Sequence, residues 1–321
     1  MGNSRSSKNC AVSMAMGMPQ RERELHIAVI NNNTPDVISV LKQGVDINYP
    51  WSNPAVPSIK DSTTPLIAAV SLNHVEIVMI LIRSGASINR TDKYGCTPLY
   101  KAAFHGRVTL VDMLLKEGAE VDKADKENQT PLYICVQNAI VHSSYATVMR
   151  LLAAGASVNI PDRYGRVPLH GAAHWKLKEL IRVLLESNSH VNAVDNKGRT
   201  PLYVCVASLS TGLYKEDLKY QVPCIKILFA AGCDMLNLED WIRCKGPGIP
   251  PELLTGDESF LAWYNSAMTC PPTLRNMCRK AVQKCLVTYD CPGLVKGVAR
   301  LPIPPSLKVY LSRKMFHLSL S

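Results

Sequence analysis

The chain has 321 residues and only 6% aromatic side chains, so Leu, Val, Ile and Ala carry its apolar share; stacked helices suit that balance better than a β-sandwich. No apolar run approaches the roughly 18 residues of a membrane-crossing helix, and the start lacks the apolar core of a secretory leader. The net charge of +10 divides into +3 over residues 1–23, −1 over 24–269 and +8 over 270–321, which argues against a body built to bind nucleic acid.

Eleven cysteines are scattered singly, with no CxxC pair, so neither a disulfide framework nor a zinc knuckle is indicated. Most, such as Cys135 and Cys205, sit in apolar helical stretches, where a reduced thiol behaves as a small hydrophobe. The expectation is a cytoplasmic protein. Residues 1–20 read as a flexible start. Met1-Gly2-Asn3-Ser4-Arg5-Ser6 fits the N-myristoylation pattern with Gly2 as acceptor, and Cys10 is placed for a second acyl chain. One chain anchors only marginally, so membrane association is expected only if the N-terminus is acylated.

The first helical unit is weak: Leu25-His26-Ile27-Ala28, then Val40-Leu41, Gly44 and Asp46-Ile47-Asn48. A Pro-rich loop through Tyr49, Pro50, Trp51, Pro54 and Pro57 follows, carrying an exposed-looking Trp. Five stronger units come next. They open with TPLI at Thr64, TPLY at Thr97 and Thr130, VPLH at Val167 and TPLY at Thr200, their prolines spaced 33, 33, 37 and 33. An apolar pair and a left-handed turn residue follow in phase: Gly85, Gly118, Gly155, Asn188 and Gly232. Each unit reads as Thr capping a Pro-initiated helix, a turn, a second helix such as Thr109–Lys116, and a loop such as Asp122–Gln129. No such unit buries its apolar face alone, so neighbours must stack. The fourth unit gains residues near Ala139–Ser143 and the sixth near Ser208–Gln221; both insertions fall between the paired helices.

Pro247, Gly248, Pro250 and Pro251 end the array, and Asp257–Ala267 reads as a short helix capping its open end. Beyond Pro271-Pro272, Leu274, Cys278 and Val282 recur at helical spacing, widened by Met277, Ala281 and Cys285, with Thr273 as N-cap. On physics alone this is an amphipathic helix seeking a groove. Leu301-Pro302-Ile303-Pro304-Pro305 then forms a stiff extended segment, followed by Leu307, Tyr310 and Leu311 at helical spacing.

The 33-residue period with TPLH-like openings resembles the ankyrin-repeat family. The resemblance implies protein binding through loop tips and a concave face. The candidates are Lys93, Tyr94, Lys126, Glu127, Arg163, Tyr164, Asn196 and Lys197, with Trp51 from the first loop; the alternative for each is an ordinary solvated turn. Tyr100, Tyr133 and Tyr203 stand where the family usually has His, and read as packing variants. At the C-terminus, Thr273, Leu274, Met277, Cys278 and Val282 resemble the elongin-binding box, and Leu301, Pro302, Ile303, Pro304, Leu307 and Tyr310 resemble the cullin box of SOCS-box proteins. Together the two resemblances imply the ankyrin-repeat and SOCS-box family. The expected fold is mainly α: about six repeats over 21–240, a linker and capping helix over 241–269, a small helical SOCS box over 270–315, and a tail over 316–321.

The implied function is that of a substrate-recognition subunit. Elongin C docks on the first box, with elongin B as a further partner, cullin-5 with its ring-domain subunit is recruited through the second, and an unidentified protein substrate is presented for ubiquitination and degradation. The alternatives are a non-degradative scaffold and a membrane-tethered adaptor. No Walker loop, dinucleotide turn or HExxH motif is present, and no cofactor is expected. His170 and His174 stand four apart on a helix, but two ligands do not make a metal site. The chain reads as a non-catalytic receptor.

Overall fold

The computed structural model describes residues 19–51, 63–139, 144–207 and 215–233, together with Ala262. The acylation residues Gly2 and Cys10 and both C-terminal boxes lie outside the described residues, as do 52–62, 140–143 and 208–214 of the expected insertions. Of the expected capping helix only Ala262 is described, and it is helical.

Twelve helices appear among the described residues: α1 (Gln20–Ile30), α2 (Thr34–Leu41), α3 (Pro65–Leu72), α4 (Val75–Arg83), α5 (Pro98–Phe104), α6 (Val108–Lys116), α7 (Pro131–Gln137), α8 (Tyr145–Ala153), α9 (Pro168–His174), α10 (Lys178–Glu186), α11 (Pro201–Ala207) and α12 (Lys215–Ala230). They pair in sequence into six helix-turn-helix repeats. The only β contact among the described residues is an isolated antiparallel bridge between Trp51 and Thr63. The protein divides into two compact units, one ending at Ala156 and one beginning at Ser157.

The TPL motif acts as the sequence implies. Thr64, Thr97 and Thr130 are extended, and each hydroxyl accepts the amide three residues on: Ile67 at 3.3 Å, Tyr100 at 3.0 Å and Tyr133 at 3.1 Å. Proline then fills the first helical position, where its missing N–H costs nothing. Val167 has no hydroxyl, and there the Val167 amide donates to His170 Nδ1 at 3.2 Å. At the far end of the second helices, Gly44, Gly85, Gly118, Gly155, Asn188 and Gly232 all take positive φ, the left-handed exit their residue types favour.

In the first unit α1 packs on α2 and α3, α3 on α4 and α5, and α5 on α6 and α7, while α8 closes on α6 and α7. Leu25, Leu66, Ile67, Ile77, Leu81, Leu99, Leu110, Leu114 and Leu132 are fully buried between these helices. Each contributes roughly 1.5–3 kcal/mol of apolar burial. In the second unit α9 packs on α10 and α11, and α12 on α10 and α11. Asparagines tie successive repeats across their loops. Asn48 Oδ1 accepts the Ser87 amide at 2.8 Å, Asn89 Oδ1 the Glu120 amide at 2.9 Å, and Asn159 Oδ1 the His190 amide at 2.9 Å.

Two expectations need adjustment. The sixth-repeat insertion is not loop throughout, since its end from Lys215 is helical and lengthens α12 to 16 residues. The buried Gln221 anchors that helix by donating to the Cys205 carbonyl at 2.7 Å. Trp51 is half-buried rather than exposed. Its backbone pairs with Thr63 at 2.7 and 2.9 Å, and its ring meets the His26 ring edge-on at 5.2 Å. The apolar ring covers the buried imidazole, a long-range contact that the composition of the loop does not reveal.

Candidate functional site: the hairpin tips

The loops before the TPL motifs are built on four aspartates: Asp92, Asp125, Asp162 and Asp195. Each stands five residues before the cap position. Each Oδ1 accepts two backbone amides, two and four residues on, at 2.9 Å: Tyr94 and Cys96, Glu127 and Gln129, Tyr164 and Arg166, Lys197 and Arg199. The aspartate amide returns the bond to the carbonyl four residues on, at 2.9–3.0 Å. The loop is thereby locked as a narrow hairpin whose tip side chains point away from its hydrogen-bonded centre.

The second carboxylate oxygen finds a different partner in each repeat. Asp92 Oδ2 meets Lys101 Nζ at 3.0 Å, and Asp125 Oδ2 accepts from the Tyr100 hydroxyl at 3.0 Å. Asp162 Oδ2 holds Arg166 through Nε at 3.0 Å and Nη2 at 2.7 Å; Asp195 Oδ2 holds Arg199 through Nε at 2.8 Å and Nη2 at 2.7 Å. Burial alone raises the Asp195 carboxyl, but the hydrogen bonds from Arg199 and Lys197 overcome it and hold the group below its ordinary range. These aspartates are absent from the candidates drawn from the sequence. Their signal was an Asp recurring five residues before Thr97, Thr130, Val167 and Thr200, in phase with the motif.

The hairpins touch their neighbours within each unit. The Lys126 amide donates to the Tyr94 carbonyl at 2.9 Å, and the Asn196 amide to the Tyr164 carbonyl at 2.9 Å. Asn196 Nδ2 adds a bond to the Arg163 carbonyl at 3.1 Å. Gly95 and Gly165 make this approach possible. Both have positive φ, and a Cβ at Gly165 would stand 2.9 Å from the Asn196 amide nitrogen. The candidates therefore form two stacks, Lys93 and Tyr94 on Lys126 and Glu127, and Arg163 and Tyr164 on Asn196 and Lys197. Tyr94 and Tyr164 are about half exposed, and cations lie over both rings: Lys93 at 4.9 Å from Tyr94, Arg163 at 4.5 Å and Arg166 at 4.8 Å from Tyr164. Trp51 does not join either stack; it belongs to the first repeat's packing.

His26 and His170 are structural. His26 Nε2 reaches the Tyr49 carbonyl at 2.8 Å, and burial lowers its pKa to about 4. His170 Nε2 reaches the Arg199 carbonyl at 2.9 Å while Nδ1 accepts from Val167, so neither nitrogen is left for a metal. The Tyr100 hydroxyl performs the same inter-repeat bridging from its TPLY position, whereas the Tyr133 hydroxyl accepts from Gln137 of its own helix at 3.0 Å. Burial pushes the Cys96 and Cys135 thiols up to about 12, far from the thiolate a nucleophile needs.

Helix pairs, aspartate-locked hairpins and exposed tip side chains define a stacked-repeat binding protein. Residues 25–125 and 138–237 match the family described as ankyrin repeats (3 copies), and residues 270–312 match the SOCS box. The chain belongs to the ankyrin-repeat family and, with its SOCS box, to the ankyrin-repeat and SOCS-box proteins. It is similar to human Rabankyrin-5, 36% identical over 85 residues covering 23% of this chain and 7% of that one. It is also similar to the putative ankyrin repeat protein FPV031 of fowlpox virus, 33% identical over 189 residues (57% of this chain, 43% of that one), and to the Neurogenic locus Notch protein of Drosophila melanogaster, 30% identical over 116 residues (36% and 4%). The chain thus spans less than half the length of these relatives. Both modules are non-catalytic: ankyrin repeats bind protein, and a SOCS box is the attachment point for elongins and a cullin-type ubiquitin ligase. Among the described residues no helix is long and apolar enough to cross a membrane.

Proposed function

We propose that this chain is the substrate-recognition subunit of an elongin–cullin-5 ubiquitin ligase, working in the cytoplasm. What supports the reading is the order of its parts: a repeat array with projecting hairpin tips, followed by a SOCS box at 270–312. In this reading the array spans 21–240 and the box 270–315. Thr273, Leu274, Met277, Cys278 and Val282 face elongin C, with elongin B bound beside it. Leu301, Pro302, Ile303, Pro304, Leu307 and Tyr310 recruit cullin-5 and its ring-domain subunit. The tips at Lys93, Tyr94, Lys126, Glu127, Arg163, Tyr164, Asn196 and Lys197 hold the target. The chain's own contribution to catalysis is proximity, keeping target lysines near a ubiquitin thioester carried by another subunit. The outcome for the target is ubiquitination followed by degradation.

Co-purification from cells with elongins B and C and cullin-5 tests this directly. Wild type should capture all three. Leu274→Ala/Cys278→Ala should lose all of them, and Leu301→Ala/Pro302→Ala should lose cullin-5 alone. Capture of no elongin by wild type would sink the receptor reading. Capture of elongins with unchanged target abundance after depletion of the protein would favour a scaffold instead.

A further inference from the structure

Cys205 and Cys224 occupy two positions that recur in each of the five stronger repeats. The first lies five residues after the cap of the opening helix, the second eight residues before the left-handed exit of its partner helix. The equivalent pairs are Ala69 and Ile77, Ala102 and Leu110, Ala172 and Leu180 and, in the fourth repeat, Cys135 and Thr147. All of these residues are buried, and the two helices of each repeat pack on one another. The second, third and fifth repeats thus set a small residue against a large one. In the sixth, two residues of middle size fill the same volume, and both are thiols.

The contacts of the sixth repeat turn these two side chains toward each other. Gln221 Nε2 donates to the Cys205 carbonyl at 2.7 Å, and Cys224 follows three residues on, along the same face of α12. The fourth repeat shows the same register, since Cys135 Sγ donates to the Ser144 carbonyl at 3.8 Å, three residues before Thr147. A hydrogen bond joins the Cys205 and Cys224 thiols; that bond and burial hold the Cys205 thiol well above its ordinary range. Cys224 Sγ also reaches the Tyr220 carbonyl at 3.2 Å. While the repeat is closed the pair is therefore inert, and an oxidant reaches it through local opening of α12. Pro223 has no N–H to donate and removes one bond from the helical ladder directly beside Cys224, which lowers the cost of that opening.

We propose that Cys205 and Cys224 are an oxidisable pair, closing to a disulfide between α11 and α12 when the chain meets a hydroperoxide. One thiolate attacks a peroxide oxygen; the O–O bond breaks, hydroxide leaves and that cysteine becomes a sulfenic acid. The other thiolate attacks the sulfenic sulfur; the S–S bond forms, the S–O bond breaks and a second hydroxide leaves. The two thiol protons convert both hydroxides to water, so two thiols lose two electrons and one molecule of hydrogen peroxide gains them. A thiol reductant reverses the change, and in a reducing compartment the pair rests as thiols. Once formed, the bond closes the loop from 205 to 224 and opposes the opening that admitted the oxidant. Cys135 has no such reaction open to it, because its counterpart is Thr147.

The test is peptide mapping by mass spectrometry on the full chain, treated with hydrogen peroxide and then alkylated at its remaining thiols. Wild type should yield a Cys205–Cys224 cross-linked peptide that dithiothreitol separates, while Cys135 is recovered as an alkylated thiol. Amide exchange along α12 should slow by about tenfold or more on oxidation. Cys205→Ala/Cys224→Leu installs the pair that the third repeat carries as Ala102 and Leu110. It should melt at or above the wild-type temperature, form no cross-link and show no response of α12 exchange to peroxide. Cys224→Thr copies the Cys135 and Thr147 arrangement and should likewise form no cross-link. Peroxide that leaves both thiols free, oxidises Cys135 before the pair, or joins either cysteine to the buried Cys233 would overturn the proposal. A cross-link that leaves α12 exchange unchanged would overturn it equally, because the bond would then hold nothing closed.

Discussion

The hairpins of the first and second units have the same backbone and different electrostatics. In both, an aspartate Oδ1 closes the loop on two amides. In the first unit the remaining oxygen is met from helix α5, by Lys101 for Asp92 and by Tyr100 for Asp125. In the second it is met from within the hairpin itself, by Arg166 for Asp162 and Arg199 for Asp195. The first solution spends its cation and hydroxyl on joining loop to helix. The second brings a guanidinium to the loop, where it also stacks on Tyr164. One structural requirement, a partner for a buried carboxylate, therefore yields a neutral edge in one place and a cationic one in another.

The largest expected effect comes from removing the carboxylate itself. Asp195→Ala leaves the Lys197 and Arg199 amides and the Arg199 guanidinium without their acceptor, and should lower unfolding stability by about 3 kcal/mol in urea titration. Asp195→Asn keeps an acceptor for the amides and should recover most of that loss. If it recovers none, the ion pair rather than the loop closure dominates, and the two units differ in more than charge.

Acid titration reports on the first unit through His26. His26 in the first unit is neutral in the fold and lowered to about 4, against 6.5 when unfolded. The unfolded chain therefore takes up the proton first as pH falls. The stabilisation is complete above pH 6.5 and is lost progressively down to about pH 4, amounting to about 3 kcal/mol. His26→Gln should flatten the dependence of stability on pH across that window; an unchanged slope would mean that His26 takes up its proton equally readily in the folded and the unfolded chain.

A smaller effect belongs to Tyr100→Phe, which deletes the hydroxyl bridging to Asp125 and Gln129 and should cost about 1 kcal/mol in the same unfolding experiment. The smallest has the opposite sign. Val167→Thr supplies the hydroxyl cap that Thr64, Thr97 and Thr130 provide elsewhere and should stabilise by about 0.5 kcal/mol, offset in part because His170 Nδ1 already accepts the Val167 amide. A destabilised Val167→Thr protein would show that the imidazole arrangement is the better cap.

The helices were legible because their signals are local. Thr-Pro starts, glycine exits and the 33-residue period each fix backbone within a few residues, and the Asn188 exit was readable for the same reason. The tip residues could be placed because they precede the motif at a fixed distance. The aspartates beneath them were equally periodic, yet a charged residue in a loop reads as solvated until its amide partners are seen. Trp51 on His26 and Gln221 on Cys205 were beyond reach for a different reason: each joins residues separated by 16 or more positions, and nothing local announces the contact. The left-handed Lys176 was hidden because lysine carries no turn signal.

The amide of Lys126 on the carbonyl of Tyr94, and that of Asn196 on the carbonyl of Tyr164, are main-chain bonds, indifferent to which side chains stand at those positions. Fixing the tips this way divides labour between scaffold and lettering. The peptide groups set the spacing, while the protruding side chains are free to change under selection without altering the frame that holds them. In the proposed role, a protein built on this plan would acquire a new target by rewriting a few characters, and would leave its SOCS box untouched.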